Sequence, residues 1–249
     1  MRPIVLTFAA SDPTGGAGMQ ADLLTLAALG CHPLSVLTAL TVQDTRGVEH
    51  VEPVSAELVA RQASVLLAET QVAAFKVGVV ASAENARAIA SIAAAHAQVP
   101  LVLDPVLASG RGDALASEVV VQSLLEHLVP RASVVTPNTL EEKRLGGAKR
   151  MLEIGCRYVL VTGTHEETPE VTNRLYDVNG LVREDRWPRL PGSYHGSGCT
   201  LASAIAAQLA KRQAVPEAAR EAQEYTWQTL AAAFRTGAGQ LLPNRFFAR

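Results

Sequence analysis

The sequence is short of charge. Only 18% of its 249 residues are Asp, Glu, Lys or Arg, against 48% hydrophobic residues, a balance that excludes a disordered chain and leaves ample apolar surface for a core. Neither sign dominates: Lys and Arg number 22 and Asp and Glu 24, so no broad field draws the chain to nucleic acid or to an anionic membrane. Cysteine is scarce and dispersed. Cys31, Cys156 and Cys199 have no C-x-x-C spacing, which excludes a disulfide scaffold, argues against zinc and points to a reducing compartment. No apolar run reaches the roughly 18 residues of a membrane span, and the first apolar run, soon followed by Asp12, is too short for a signal peptide. The expectation is a soluble cytoplasmic protein whose partner is a small molecule. Several catalytic signatures are also missing. There is no G-x-x-x-x-G-K-[ST] phosphate loop and no G-x-S-x-G elbow, and His165-Glu166-Glu167 lacks the second histidine of a metalloprotease helix.

Short apolar runs alternate with longer amphipathic or small-residue segments along the chain, the pattern of a mostly parallel sheet covered by helices on both faces. Strands are expected at residues 4–8, 34–40, 74–77, 101–103, 134–135 and 158–161. Helices are expected at 19–29, 55–68, 82–96, 201–210 and 216–234, with Ser55 and Ser82 placed to cap theirs. Asn179-Gly180 between 174–178 and 181–184 predicts a late antiparallel hairpin. With no linker, repeat or low-complexity tail, residues 1–249 read as a single domain. Polar residues gather after the predicted strands, at Asp104, Asn138 and Gly163, and ligands of open parallel sheets bind beyond those strand ends.

His195-Gly196-Ser197-Gly198-Cys199-Thr200 opens a helix of small and apolar residues. Its glycines admit backbone N–H groups to an oxyanion, and the helix dipole adds positive potential; an ordinary Gly-rich connection before a buried helix reads equally well. Cys199 at that helix start is expected to have a lowered thiol pKa, the alternative being a small buried hydrophobe. Gly15-Gly16-Ala17-Gly18 is a second Gly-rich turn but does not match G-x-G-x-x-G. Asp22, beside that turn, and Gln43, after the second strand, have the hydrogen-bonding groups to hold a polar heterocycle, or else serve as surface or capping residues. Asp104, Asn138 and Glu141 form a possible oxygen-rich magnesium environment, or Asn138 and Glu141 form a helix cap with its first-turn acid.

Five motifs, taken in order, carry a resemblance. Residues 10–22, containing Ser11-Asp12-Pro13-Thr14-Gly15-Gly16-Ala17-Gly18, come first, and Thr38-Ala39-Leu40-Thr41-Val42-Gln43-Asp44-Thr45 second. Asp104-Pro105-Val106, Thr136-Pro137-Asn138-Thr139-Leu140-Glu141 and the His195–Thr200 stretch follow. Together the set resembles the hydroxymethylpyrimidine/phosphomethylpyrimidine kinases over nearly the whole chain. The resemblance implies a ribokinase-like three-layer α/β/α fold. It also implies phosphorylation, with ATP and Mg2+, of 4-amino-5-hydroxymethyl-2-methylpyrimidine and then of its monophosphate for thiamine synthesis, and a homodimer. By position it implies that Asp22 and Gln43 hold the pyrimidine, with Ala17 and Val106 lining the pocket. Gly196, Ser197 and Gly198 would form the anion hole, with Cys199 as the catalytic base. Asn138 and Glu141 would organise magnesium and phosphates, with Asp104 as a further metal ligand and Thr162 and Gly163 beside the nucleotide.

This sequence departs from the family pattern in three places. Val79 stands where methionine is usual near the pyrimidine. Val161-Thr162-Gly163-Thr164-His165 replaces a Lys-Gly-Gly-His segment, removing a cation near the nucleotide phosphates that Arg111 or Lys143 would have to replace. The stretch between Asn138 and Tyr158 is short. Two rival readings use the same residues: a pyridoxal kinase, acting on another hydroxymethyl heterocycle, and a non-catalytic pyrimidine-binding regulator. The phosphate-handling residues Asn138, Glu141 and Cys199 argue against the second.

Overall fold

The apolar runs become strands whose two faces feed two separate cores, because side chains alternate along a strand. A computed structural model describes residues 2–109, 112–113 and 115–247. Strand β1 (Ile4–Ser11) sends Leu6 and Phe8 into one core and Val5 into the other. The same division recurs in β4 (Ala74–Val77), β5 (Leu101–Leu103), β6 (Val134–Val135) and β7 (Tyr158–Thr162). Phe75, Leu103, Val135 and Val159 face one way; Ala74, Val102, Val134 and Leu160 face the other. Helices α2 (Ala56–Glu69) and α3 (Ala83–Ala95) and the turns that continue α4 (Glu118–Ser123) cover the first core. Helices α1 (Gly18–Ala28), α7 (Ser197–Ala210) and α8 (Val215–Ala231) cover the second. The result is the three-layer α/β/α architecture expected.

Among the described residues nine strands form one sheet, in the order β3-β2-β1-β4-β5-β6-β7-β8-β9. From β2 (His32–Gln43) to β7 the neighbours are parallel. The expected hairpin is present and longer than its sequence signal, pairing β8 (Glu170–Asp177) with β9 (Gly180–Pro188); β8 also runs antiparallel to β7. One strand escapes the sequence pattern. Edge strand β3 (Val48–Pro53) pairs antiparallel with β2, and its mostly exposed Val-Glu-His-Val-Glu-Pro run has no buried face to leave a hydrophobic alternation.

Ser55 and Ser82 cap α2 and α3, accepting hydrogen bonds from the N–H groups of Leu58 and Asn85. Two short helices, α5 (Thr139–Arg144) and α6 (Ala148–Glu153), fill the connection between β6 and β7. Helix α7 starts at Ser197, inside the His195–Thr200 stretch expected to open it and ahead of the segment 201–210 expected to continue it. The glycines that make its start read as a loop belong to its first turn, and burial of every residue from Thr200 to Ala210 outweighs their weak helix propensity. Past α8 the chain returns to the sheet edge of the molecule, where the Leu241 carbonyl accepts from the His195 N–H at 2.9 Å. No helix among the described residues is long and apolar enough to cross a membrane.

Candidate functional site

A cleft of about 450 Å³ lies beyond the carboxyl ends of the parallel strands. Ala10 and Ser11 reach it from β1, Thr41 and Gln43 from β2, Val79 from the end of β4, Asp104 and Val106 from β5, and Thr136 and Asn138 from β6. The start of α7 forms its remaining wall. The polar residues that the sequence scatters from Ser11 to Asn138 converge here because every parallel strand ends on the same edge of the sheet.

Helix α7 begins with Gly196 in a left-handed conformation, φ 85°, and no side chain caps its first turn. The N–H groups of Ser197, Gly198 and Cys199 are therefore intrahelical orphans that open on the cleft, and the helix dipole reinforces them. Gly196 is obligatory: a Cβ there would collide with the Gly16 carbonyl. The two Gly-rich turns thus touch, backbone against backbone. Asp12 joins them from the other side, accepting from Thr14 N (2.8 Å), Thr14 Oγ1 (2.9 Å), Ala17 N (2.7 Å) and the His195 ring (2.8 Å). Burial acts to raise the Asp12 pKa, but the His195 hydrogen bond and charge, with those of Ala17 and Thr14, hold it below its ordinary value. Arg245, returned by the C-terminal segment, braces the same junction by donating to the Gly16 carbonyl (2.6 Å) and to Thr200 Oγ1 (3.1 Å).

The floor of the cleft is acidic. Asp104 is 4% exposed, and its Oδ2 has no hydrogen-bond partner among the described residues. Burial, with Asp22 nearby, lifts its pKa to about 6 against the opposing pull of Lys76 and a hydrogen bond with Cys199. Burial and then the Asp104 charge push Glu141 to about 8. Asn138 and Glu141 form a capping box on α5: Asn138 Oδ1 accepts from the Leu140 and Glu141 N–H groups, and Glu141 Oε2 accepts from Asn138 N at 3.0 Å. The capping alternative is thus realised, yet both residues also line the cleft. Two buried carboxyls that repel each other, one with an unpartnered oxygen, are a donor set that a divalent cation fits.

Cys199 corrects an expectation. Its half-buried thiol lines the cleft, but its pKa is pushed up to about 12 rather than down. Burial dominates, and the neighbouring carboxylates of Asp104 and Asp22 add to it, outweighing Lys76 and the Gly18 backbone. The resting residue is a neutral thiol.

Asp22 is a second correction, since it is fully buried and is not among the cleft-lining residues. It pairs with Lys76, itself fully buried, with Nζ 2.8 Å from Oδ1 and 2.9 Å from Oδ2. Thr7 and Ser203 donate to the same carboxylate at 2.5 and 2.8 Å. With both oxygens committed beneath α7, Asp22 has no free acceptor for a heterocycle. Sequence reading missed Lys76, although a lone lysine in the apolar strand Ala74-Phe75-Lys76-Val77 was the available signal. Burial requires such a lysine to find a partner.

The remaining predicted pocket residues do converge. Gln43, Ala17 and Val106 line the cleft. Gln43 Nε2 donates to Thr41 Oγ1 at 2.8 Å, while its Oε1 accepts from no protein donor among the described residues. Thr162 lines the cleft but Gly163 does not; the Gly163 N–H is committed to Asn173 Oδ1 at 3.1 Å. Of the residues considered for the missing lysine's charge, Arg111 lies outside the described residues, and Lys143 is exposed on α5 and not among the lining residues. Arg189 does line the cleft, holding the loop after β7 by donating to the carbonyls of Gly163, Thr164, Glu166 and Thr168.

Residues 12–244 match the family model described as phosphomethylpyrimidine kinase. A hydroxymethylpyrimidine/phosphomethylpyrimidine kinase of Streptomyces coelicolor is 40% identical, over 95% of this chain and 92% of its own length. Among solved structures, a phosphomethylpyrimidine kinase from Clostridium difficile superposes with a TM-score of 0.79 at 30% identity, covering 92% of this chain and all of the other. A pyridoxal kinase from Staphylococcus aureus in complex with ADP superposes with a TM-score of 0.90 at 25% identity, covering 100% of this chain and 95% of its own.

Proposed function

The chain belongs to the phosphomethylpyrimidine kinase family, and from that premise we propose that it works as a single kinase unit transferring the γ-phosphoryl group of ATP to 4-amino-5-hydroxymethyl-2-methylpyrimidine and then to its monophosphate, for thiamine synthesis. The observation that carries this reading is the uncapped start of α7 facing the cleft, with the unpartnered oxygen of Asp104 beside it.

The pyrimidine occupies the side of the cleft lined by Ala17, Gln43 and Val106, where the free Gln43 carbonyl accepts from the ring amino group. The transferring phosphoryl group lies against the N–H groups of Ser197, Gly198 and Cys199, which are fixed before the substrate arrives and aimed where charge develops. Asp104 and Glu141, with Asn138 beside them, would hold Mg2+, which would supply charge neutralisation for the triphosphate. The nucleotide lies toward Thr162. Cys199, a neutral thiol, places the substrate hydroxyl beside the α7 donors rather than acting as a preformed thiolate. Phosphoryl transfer depends more on positioning and charge stabilisation than on a strong base.

The unpaired thiols of Cys31, Cys156 and Cys199 support a cytoplasmic setting. Exposed Leu40 and Val42, on one face of β2, support a homodimer; a monomer mass by light scattering would overturn that assignment.

The function is tested by incubating the protein with magnesium-ATP and either hydroxymethylpyrimidine or pyridoxal, following ADP release and product masses. The diphosphorylated pyrimidine is the expected product. Turnover of pyridoxal alone would transfer the protein to vitamin B6 salvage, and no turnover of either would leave a binding protein.

A further inference from the structure

We infer that His195 forms the subsite for the phosphate of the phosphorylated pyrimidine, the acceptor of the second transfer, and so sets the preference between alcohol and monophosphate. The inference rests on the kinase reading above. The ring stands in the seam between the two Gly-rich turns: Nε2 is 2.8 Å from Asp12 Oδ2, and the Cδ2 edge packs so closely on Gly16 that a Cβ there would collide with it. On one side is Ala17, in the pyrimidine part of the cleft; on the other is Gly196, at the start of the α7 donors. A phosphate attached to the pyrimidine and directed at a γ-phosphoryl group on those donors has to pass this seam.

The second transfer also makes a demand that the first does not. An anionic oxygen of the acceptor phosphate attacks the γ-phosphorus, a new P–O bond forms, the bond to the bridging oxygen breaks and ADP leaves with the electron pair. No proton has to be removed from the acceptor, so the step needs no base, but two phosphate groups must approach each other. Their repulsion calls for a positive donor between them. Among the described residues, the other basic side chains of the region are committed. Lys76 is paired with Asp22, Arg245 holds Gly16 and Thr200, and Arg189 holds the carbonyls of the loop after β7. His195 lines the cleft with its side chain 11% exposed, and its Nδ1, on the ring edge away from Gly16, has no protein partner among the described residues. With Asp12 on one nitrogen and a phosphate on the other, the ring donates to both as imidazolium.

The test compares the wild type with His195→Gln, whose amide nitrogen can still donate to Asp12 but which has no charge and presents a carbonyl acceptor rather than a donor on its other side. KM and kcat are measured at saturating magnesium-ATP for hydroxymethylpyrimidine and for its monophosphate. The KM of the monophosphate is expected to rise about tenfold or more relative to that of the alcohol, the loss of one charge-assisted hydrogen bond. An equal change for both substrates would overturn the assignment. Nitrogen NMR of the wild type provides a second readout independent of the variant's folding. The monophosphate, but not the alcohol, should shift the His195 Nδ1 resonance on binding; a resonance shifted equally by both, or by neither, overturns the subsite. Wild-type turnover separates the two failures, since an enzyme that phosphorylates both substrates yet fails these tests loses only the His195 subsite.

Discussion

Gly198→Asp is expected to fold and to lose turnover by roughly 10³-fold or more, more than the loss of a single oxyanion donor. The position is the second residue of α7 and is exposed to the cleft. A carboxylate there suits the helix dipole, so the folded state should not suffer. The same carboxylate lies where the transferring phosphoryl group would be held, and its Cβ falls 3.8–3.9 Å from the Asp104 carboxylate oxygens. It therefore repels the substrate's charge and crowds the acid proposed to hold magnesium. Gly198→Ala supplies the control, because a Cβ at this position meets nothing closer than 3.8 Å; it should retain activity within about tenfold, losing only some shape around the donors. The measurement is kcat with Tm recorded for both variants. A Gly198→Asp enzyme with normal kcat and unchanged Tm would remove the α7 donors from the reaction.

Lys76→Met is expected to cost about 3–5 kcal/mol of stability, the penalty for stripping one partner from a buried ion pair, and so to lower Tm by roughly 10 °C in a chain of this size. Both members of the pair are fully buried. Removing the ammonium leaves the Asp22 carboxylate held only by Thr7 and Ser203, with Asp104 nearby adding like charge. The double change Asp22→Asn with Lys76→Met should recover much of the loss, because it removes the stranded charge as well. A Tm for Lys76→Met within about 2 °C of the wild type, less than 1 kcal/mol on the same scale, would show that the pair does not bear on stability. The pH dependence follows the sign of the Lys76 shift. Burial acts to lower its pKa, but Asp22, Cys199 and Asp104 together raise it above its ordinary value. A cation with a raised folded-state pKa contributes its stability fully below the unfolded value of about 10.4 and loses it only as pH rises through the folded one. The pair is therefore intact throughout neutral buffers, and Tm between pH 6 and 9 should show no step assignable to it.

The strands that lie buried on both faces were legible almost to the residue. Residues 74–77, 101–103 and 134–135 are uninterrupted short runs in the sequence and are β4, β5 and β6 in the structure, because burial on both faces demands an apolar run. The Asn179-Gly180 turn was equally local, with Gly180 at φ 121° and the Asn179 N–H bound to Asp177 Oδ1. Edge strand β3 was not legible, because its partner β2 and not its own composition makes it a strand. The candidate site was legible where its chemistry is carried by backbone: Gly196 to Cys199 form the α7 start, and Asn138 with Glu141 form a capping box.

Side chains whose meaning depends on distant partners were not readable in this way. Asp22 carries the same carboxylate whether it faces a pyrimidine or Lys76, 54 residues away. Cys199 sits at a helix start in either reading; burial beside Asp104 and Asp22 raises its pKa where the helix alone would lower it. The Asp12–His195 hydrogen bond spans 183 residues and exists only because β1 ends beside the start of α7. The sequence by itself therefore determined the central strands, the helices that cover them and the backbone donors, since propensity, periodicity and glycine conformation act within a few residues. Only the tertiary structure decided which acid is paired, which thiol is neutral and which imidazole stays available, since charge interactions and desolvation depend on neighbours in space rather than in sequence.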